Sequence, residues 1–215
     1  MTFSEIIIQG AEEMGVSLSA GDIEKFSIYS EELKLWSKKI NLTAIKKDED
    51  IIVNHFLDSL SILKHIKPES TLLDIGTGAG FPGVAVAIVC PHCFVTCMDS
   101  SAKKITFINH IMRKLGLKNV KAVSDRAGQS GKSVELYDYV VTRAVSDLLT
   151  VIKLSRPYIT DSGRIITMRG EKGGAELKAV SGDLESLGLV VDEVDVFTLP
   201  FNKFKRVNIV FNKKI

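Results

Sequence analysis

No stretch of the 215-residue chain approaches the ~20 consecutive apolar residues that a membrane-spanning helix needs. The N-terminus, Met1-Thr2-Phe3-Ser4-Glu5, carries no basic n-region and no cleavage site, so it does not read as a secretory signal. Nothing suggests lipidation, and the default expectation is a cytoplasmic protein without membrane contact. Neither sign of charge is in excess: Lys plus Arg is 28 and Asp plus Glu 26, a net charge of +2. Bulk charge therefore does not announce nucleic-acid binding; any basic patch has to come from placement. Internal repeats and low-complexity tracts are also lacking. What is present, 45% hydrophobic and 25% charged residues, excludes global disorder and fits one globular domain with room for a small appendage.

Cysteine is scarce and clustered, as Cys90, Cys93 and Cys97 with His92 among them. A redox Cys-x-x-Cys pair belongs at a helix N-terminus, where the dipole favours thiolate. Here the pair follows the helical run from Gly83 to Val89. A zinc site would need a second, regularly spaced ligand pair, and the sequence has none. The expected state is three buried or half-buried thiols, and no metal is expected.

The character of the chain changes near residue 67. Residues 1–66 read as a helical N-terminal extension. Phe3, Ile6, Ile7, Ile8, Ala11 and Met14 form a first amphipathic stripe, stopped at Gly15. Ser19 and Asp22 resemble a capping box with Asp replacing Glu. Ile23, Phe26, Leu33 and Trp36 follow at helical spacing. Asp48, Glu49 and Asp50 suit the first turn of another helix, which runs through Leu63 and ends before Pro68. In residues 67–215 strands alternate with helices. Strands are predicted at 71–75, 94–99, 120–123, 137–141 and 164–168, then near 189–197 and 205–211. Helices are predicted at 84–89, 103–115 and 175–187. The alternation implies a mainly parallel sheet covered on both faces. The last two strands, with no helix between them, imply an antiparallel edge hairpin. The fold class is α/β, a Rossmann-like seven-stranded sheet.

One motif carries the functional reading. A strand ends in Asp74, a glycine cluster Gly76-Thr77-Gly78-Ala79-Gly80-Phe81-Pro82-Gly83 follows, a helix begins, and the next strand ends in Asp99. Glycines let the backbone turn and approach a ligand without a Cβ clash. Asp99 is placed to accept from both hydroxyls of a ribose. Gly78-x-Gly80-x-x-Gly83 also satisfies the dinucleotide fingerprint. Two features favour S-adenosylmethionine instead. The glycines begin one step earlier, behind an acid, and Pro82 falls where the next helix should start, a good first helical residue. A pyrophosphate would want bare N–H groups and no nearby acid. Asp74 has two readings: an acceptor near a cationic amino group, or a strand-end carboxylate bonding loop amides.

Asp74-Ile-Gly-Thr-Gly-Ala-Gly-Phe-Pro-Gly83 closely resembles the rRNA small-subunit methyltransferase G family, also called glucose-inhibited division protein B. Trp36-Ser-Lys-Lys-Ile-Asn-Leu-Thr43, His55-Phe-Leu-Asp-Ser-Leu60, Asp99-Ser-Ser-Ala-Lys-Lys104 and Thr142-Arg-Ala144 agree with it, and the resemblance spans nearly the whole chain. It implies a class I methyltransferase that transfers a methyl group from S-adenosylmethionine to N7 of a guanine in the decoding region of bacterial 16S rRNA. Gly76, Phe81, Ala127, Gly128 and Arg143 would then be cofactor contacts, beside Asp74, Gly78, Gly80 and Asp99. The family usually has an acid where Gly128 stands, so a side-chain contact there is impossible, and Gln129 or Asp125 are the candidate substitutes. The family's Lys-Gly near the fifth strand is Arg169-Gly170 here, which keeps the charge but changes its shape.

Guanine N7 has a free lone pair and no proton to lose, so no general base is required and none is assigned. The substrate-side candidates are Asn41, His55, Lys104, Arg143 and Arg169; an Arg can hold guanine O6 while leaving N7 free. Each has a bland alternative: Asn41 as a helix cap, His55 as an interdomain hydrogen bond with Asp58 paired to it or solvated, Arg169 as a surface ion pair. The short basic groups Lys38-Lys39, Lys46-Lys47, Lys103-Lys104, Arg113-Lys114 and Lys203, Lys205, Arg206 are candidate phosphate contacts or solvated faces. Phe81, Phe201 and Phe204 are candidates for stacking on a base, with Phe81 favoured by its place in the loop and core packing the alternative for at least two. The expected partner is 16S rRNA or the 30S subunit, and the expected state a monomer. The rival readings are a methyltransferase acting on a small molecule or protein, an NAD-dependent oxidoreductase, and a non-catalytic assembly factor.

Overall fold

The computed structural model describes residues 1–128, 134–202 and 204–214. Gln129 and Lys203 lie outside them. The sheet runs β3-β2-β1-β4-β5-β7-β6, built from β1 (Thr71–Ile75), β2 (Phe94–Asp99), β3 (Val120–Ser124), β4 (Tyr137–Arg143), β5 (Ile159–Gly170), β6 (Leu189–Thr198) and β7 (Lys205–Lys213). The first five are parallel. β7 inserts antiparallel between β5 and β6, which leaves β6 at the edge.

Helices cover both faces, as a buried parallel sheet requires. Against one face pack α1 (Phe3–Glu13), α2 (Ala20–Ile40), α5 (Gly83–Val89) and α6 (Ala102–Lys114). The other face is covered by α7 (Leu148–Ser155) and α8 (Gly173–Leu184). The first core joins the N-terminal helices to the sheet without a seam: Phe26, Leu33 and Phe56 belong to one buried cluster with Val84, Val95 and Val141. No helix among the described residues is long and apolar enough to cross a membrane.

Local rules explain most element ends. At Ser19 the side chain accepts from the Asp22 amide and the Asp22 carboxylate accepts from the Ser19 amide, so the shorter acid still closes a capping box. α1 ends as predicted before Gly15, whose φ is +73. Other elements differ. The acidic start at Asp48 opens only a short α3 (Asp48–Ile51); a π-helical turn (Ile52–Leu57) follows, then α4 (Asp58–Leu60). The π turn carries Val53 and Phe56 into the core and brings His55 and Asp58 to the sheet end. Pro82 is not the first residue of α5 but its N-cap, its carbonyl accepting from Val86 N. β5 begins five residues earlier than its apolar core suggests, because its register with β4 shifts between the pairs Tyr137–Ile159 and Tyr139–Arg164. α7 lacks a clear sequence signal, since Thr150, Val151 and Ile152 suit a strand as well as a helix. Asp147 caps it by accepting from Thr150 N at 2.9 Å.

Cys93 and Cys97 are buried and Cys90 is half-buried, all three free. Burial pushes the Cys93 thiol up to about 12 and raises Cys97 further, so both are inert thiols of the core, as expected.

Candidate functional site

Strand order reverses between β1 and β4, and ligands of open α/β sheets bind outside the carboxyl ends of strands at such a point. The glycine turn leaves β1 there. It is tied to β2, because Gly76 N and Thr77 N both donate to Met98 O, at 2.8 and 3.0 Å. Asp74 is fully buried; its Oδ2 accepts from Thr77 Oγ1 at 2.6 Å and from Gly83 N at 2.8 Å. The carboxylate thus braces the turn and caps the start of α5. Of its two readings, bonding the loop is the one this geometry fits, and the amino-group acceptor would need Oδ1, which has no hydrogen-bond partner. Burial pushes its carboxyl up to about 6, against the two hydrogen bonds, which lower it.

Gly76, Gly78 and Gly80 all have positive φ, and the space around each differs. A Cβ on Gly76 would lie 2.6 Å from Val145 Cγ2. On Gly78 it would meet no heavy atom nearer than Gly76 O at 3.9 Å, so that side of the turn faces open space. Gly78 N donates to Asp99 Oδ2 at 3.0 Å, and Ser101 N to Asp99 Oδ1 at 2.9 Å. Lys104 Nζ lies 3.3 Å from Oδ2.

A cavity of about 360 Å³ lies beside this turn, lined by Gly76, Met98, Asp99, Lys104, Ala127 and Leu154 among others. Its composition fits a nucleoside: apolar walls, a carboxylate with lone pairs left on Oδ1, and backbone from a third strand end. Gly128, φ +82, donates its amide to Tyr158 Oη at 3.2 Å. Arg126 N donates to Asp125 Oδ1 at 2.7 Å, and both residues line the cavity. Lys104, a substrate-side candidate from the sequence, lines this cavity.

A second cavity, about 680 Å³, shares Ala144 with the first. Arg143, Arg169 and Arg206 line it, with His55, Asp58 and Asn54. Its centre is a carboxylate held by two guanidiniums: Asp58 Oδ2 is 3.2 Å from Arg143 Nη1, and Asp58 Oδ1 is 3.1 Å from Arg206 Nε. Burial raises the Asp58 carboxyl, with Arg143 and Arg206 opposing. Asp58 does not pair with His55. Arg143 also donates from Nη1 to Asn54 O at 3.1 Å and from Nη2 to His55 Nδ1 at 3.2 Å. Three of its five N–H donors are thereby spent. Arg169, mostly buried, pairs with Glu176 and donates to Ser146 O while lining the cavity.

His55, itself in the helical extension, links Arg143 at the end of β4 to Thr43 in the loop after α2. Its Nδ1 accepts a hydrogen bond from Arg143 Nη2, so in the neutral ring Nε2 carries the hydrogen and donates to Thr43 Oγ1 at 2.8 Å. Burial first, then the Arg143 charge, push its pKa down to about 3. The ring stacks on Phe81 at 4.7 Å and 11°. Phe81 in turn stacks on Tyr29 at 5.2 Å, and Arg143 Cζ lies 5.1 Å from the Phe81 centroid. Tyr29 Oη closes the chain by donating to Ala79 O, inside the glycine turn, at 2.5 Å.

This order inverts one expectation. Phe81, favoured for stacking on a base, is buried, and its ring lines neither cavity, because three neighbours already occupy its faces. Phe204 is 58% exposed, lines the second cavity and carries Arg206 5.9 Å from its ring. Phe201 is 40% exposed and lines neither cavity. Asn41 is not in the Arg143 cavity either; it is the left-handed C-cap of α2, φ 48, and lines a neighbouring recess. Asn54 had no signal in the sequence. Arg206 had only its basic neighbours, which pointed to phosphate and not to Asp58.

The sequence profile of the family described as rRNA small subunit methyltransferase G matches residues 22–204. A ribosomal RNA small subunit methyltransferase G from Geotalea uraniireducens is 39% identical over 213 residues, covering 99% of this chain and 97% of that protein. Its counterpart from Acetivibrio thermocellus is 40% identical, covering 97% and 88%. Among solved structures, an S-adenosylmethionine-dependent methyltransferase from Aquifex aeolicus superposes with a TM-score of 0.59 at 20% identity, over 80% of this chain and 97% of that one. M. jannaschii TYW2 in complex with AdoMet gives 0.56 at 15%, over 73% and 76%. These two likenesses concern the fold: seven strands, mostly parallel, of the class I methyltransferase type.

Proposed function

Because the chain belongs to the rRNA small subunit methyltransferase G family, we propose that it transfers a methyl group from S-adenosylmethionine to N7 of a guanine in the decoding region of bacterial 16S rRNA. The observation that carries this reading is the pair of cavities meeting at Ala144, one rimmed by a carboxylate, the other walled by guanidiniums. When bound, the sulfonium cofactor supplies a methyl group already activated for displacement.

Gly76, Asp99 and Ala127 would hold the nucleoside, with the open side of Gly78 leaving it room. Asp99 Oδ1 keeps lone-pair capacity for a ribose hydroxyl while Oδ2 anchors the turn through Gly78 N. Arg143 and Arg206 would present their remaining N–H groups to guanine O6, leaving N7 free to attack. Asp58 fixes both guanidiniums and offsets part of their charge, which suits a cationic product. His55 stays neutral at physiological pH and adds no further cation. The attacking nitrogen carries no proton, so no side chain needs to remove one. The rate gain then rests mainly on orientation, worth roughly 7–11 kcal/mol in well-aligned systems. The enzyme acts as a monomer in the cytoplasm in this reading, on 16S rRNA or the 30S subunit.

The test uses methyl-labelled cofactor and 30S particles from a strain lacking the enzyme. The label should appear at one guanine of 16S rRNA, at a position where the modified base becomes labile to reduction and strand scission, as N7-methylguanine is. Label confined to proteins or small metabolites would support the rival methyltransferase reading and remove the rRNA assignment.

A further inference from the structure

A third recess, about 980 Å³, opens between the C-terminal half of α2 and the loop that follows it. Ile45 lines both this recess and the Arg143 cavity, so the two are neighbours. They are also bonded: Thr43, on the recess wall, is the residue whose Oγ1 accepts from His55. Three lysines line it, and they are not equivalent. Lys34 is neutralised by Asp48 at 2.7 Å. Lys38 and Lys46, one on the helix and one on the loop, are exposed, and among the described residues neither has a carboxylate within 4.0 Å. Glu31 is the one acid among the lining residues. Ser37 Oγ, also on the wall, is buried with no hydrogen-bond partner, and Leu35 offers an apolar surface 54% exposed.

We propose that this recess receives the RNA strand flanking the target nucleotide, with Lys38 and Lys46 neutralising two of its phosphates. The proposal rests on reading the Arg143 cavity as the base pocket. A strand whose base enters that cavity must leave along an adjoining surface; the recess borders it at Ile45 and is bonded to it through Thr43 and His55, while the neighbour on the other side, at Ala144, is the cavity read as the cofactor's. Paired cations on facing walls suit a polyanion. Asn41 supplies a hydrogen-bonding amide, and Leu35 supplies a face for a sugar or base. The contacts are to backbone, so they add affinity without sequence preference.

The test compares wild type with the double variant Lys38→Ala/Lys46→Ala on 30S particles. The KM for 30S should rise about tenfold, since each lysine lost removes a phosphate contact. The slope of log affinity against log salt should flatten by about 1.4, two contacts at about 0.7 each on a single strand. Turnover at saturating 30S and the affinity for S-adenosylhomocysteine should not change. Lys38→Arg/Lys46→Arg should restore KM, and Lys178→Ala, on α8 against the other face, should leave it alone. If wild type methylates 30S, an unchanged KM and salt slope in the double variant would overturn the recess assignment alone. So would a raised KM with an unchanged salt slope, which would point to a ribosomal protein. A wild-type enzyme that never labels 30S would overturn the function reading and the recess with it.

Discussion

His55 is the residue whose chemistry is set most completely by its neighbours. Burial and the Arg143 charge hold its pKa at about 3, against an ordinary value of 6.5. In the unfolded chain it takes up a proton below pH 6.5; in the folded protein it does not until about 3. Its contribution to stability is therefore present in full above 6.5 and is lost as pH falls toward 3. Asp74 has the opposite sign. Its pKa is raised from 3.8 to about 6, so its contribution is present below 3.8 and lost as pH rises through 6. A comparison of wild type with His55→Gln cancels the Asp74 effect and isolates the histidine. At pH 7.5 the variant should be the less stable, having lost a stacked ring. Between pH 7.5 and 4.5 it should gain on wild type by about 3 kcal/mol, two pH units of proton exclusion at 1.36 kcal/mol each. Urea midpoints at the two pH values read this directly, and a difference that stays constant would mean that His55 titrates normally in the fold.

At this scale the sequence was legible wherever function follows local geometry. That Asp99 and the glycine turn meet at the sheet end could be read, because the strand–turn–helix–strand order places them there. The Asp58 clamp could not, because Arg143 and Arg206 reach it from sequence separations of 85 and 148 residues. Nothing along the chain says which basic residue will find a buried acid. Phe81 was misjudged for a related reason. A loop aromatic looks available until the helices that cover it, carrying Tyr29 and His55, are in place.

Among the elements, the turn from Gly76 to Gly83 separates stability from binding. Gly78 needs its left-handed backbone, which costs a residue with a Cβ about 1–2 kcal/mol, but no protein atom opposes the side chain. Gly83 is the reverse: its backbone is ordinary, yet a Cβ would lie 2.9 Å from both Asp74 Oδ2 and Cys97 Sγ. Gly78→Val should therefore fold with a modest loss of stability and lose S-adenosylhomocysteine affinity at least 100-fold by calorimetry. Gly83→Val should lose far more stability, because two buried side chains must move. Equal affinity in wild type and Gly78→Val would show that the open side of the turn is not the ligand side. The elements themselves were legible where apolar periodicity was unbroken, as in α1, α2, β1, β2 and α6. The helix after Asp48 was read as continuous because its hydrophobic pattern is; in the π turn that interrupts it, Phe56 packs among Phe3, Phe26 and Tyr29. α7 was recoverable from topology and not from its residues. Parallel β4 and β5 require a crossover connection, and Leu148–Ser155 is the segment that makes it.

At the scale of the whole molecule, residues 1–66 and 67–215 share one buried core. Composition changes near residue 67, but the core does not divide there, since Phe26, Phe56 and Tyr29 pack with Phe81, Phe107 and Val84. Burial shared across a boundary makes the two parts stabilise each other, so we propose that they unfold as one unit. The protein carries its own probe. Trp36, the single tryptophan, lies in α2 and contacts Phe107 and His110 of α6, at ring distances of 5.6 and 5.1 Å. Its fluorescence reports the docking of the extension, whereas the far-ultraviolet circular dichroism reports the sheet and all helices. The two urea transitions should coincide. Tyr29→Phe removes the hydroxyl that donates to Ala79 O in the glycine turn and leaves that buried carbonyl without this partner. It should lower both midpoints together, by about 1–3 kcal/mol of stability with no change in slope. A tryptophan transition that precedes the dichroism change would mean that the extension undocks on its own. The second cavity, whose His55 and Asp58 come from residues 1–66 and whose Arg143 and Arg206 come from the sheet, would then assemble only when the two parts close.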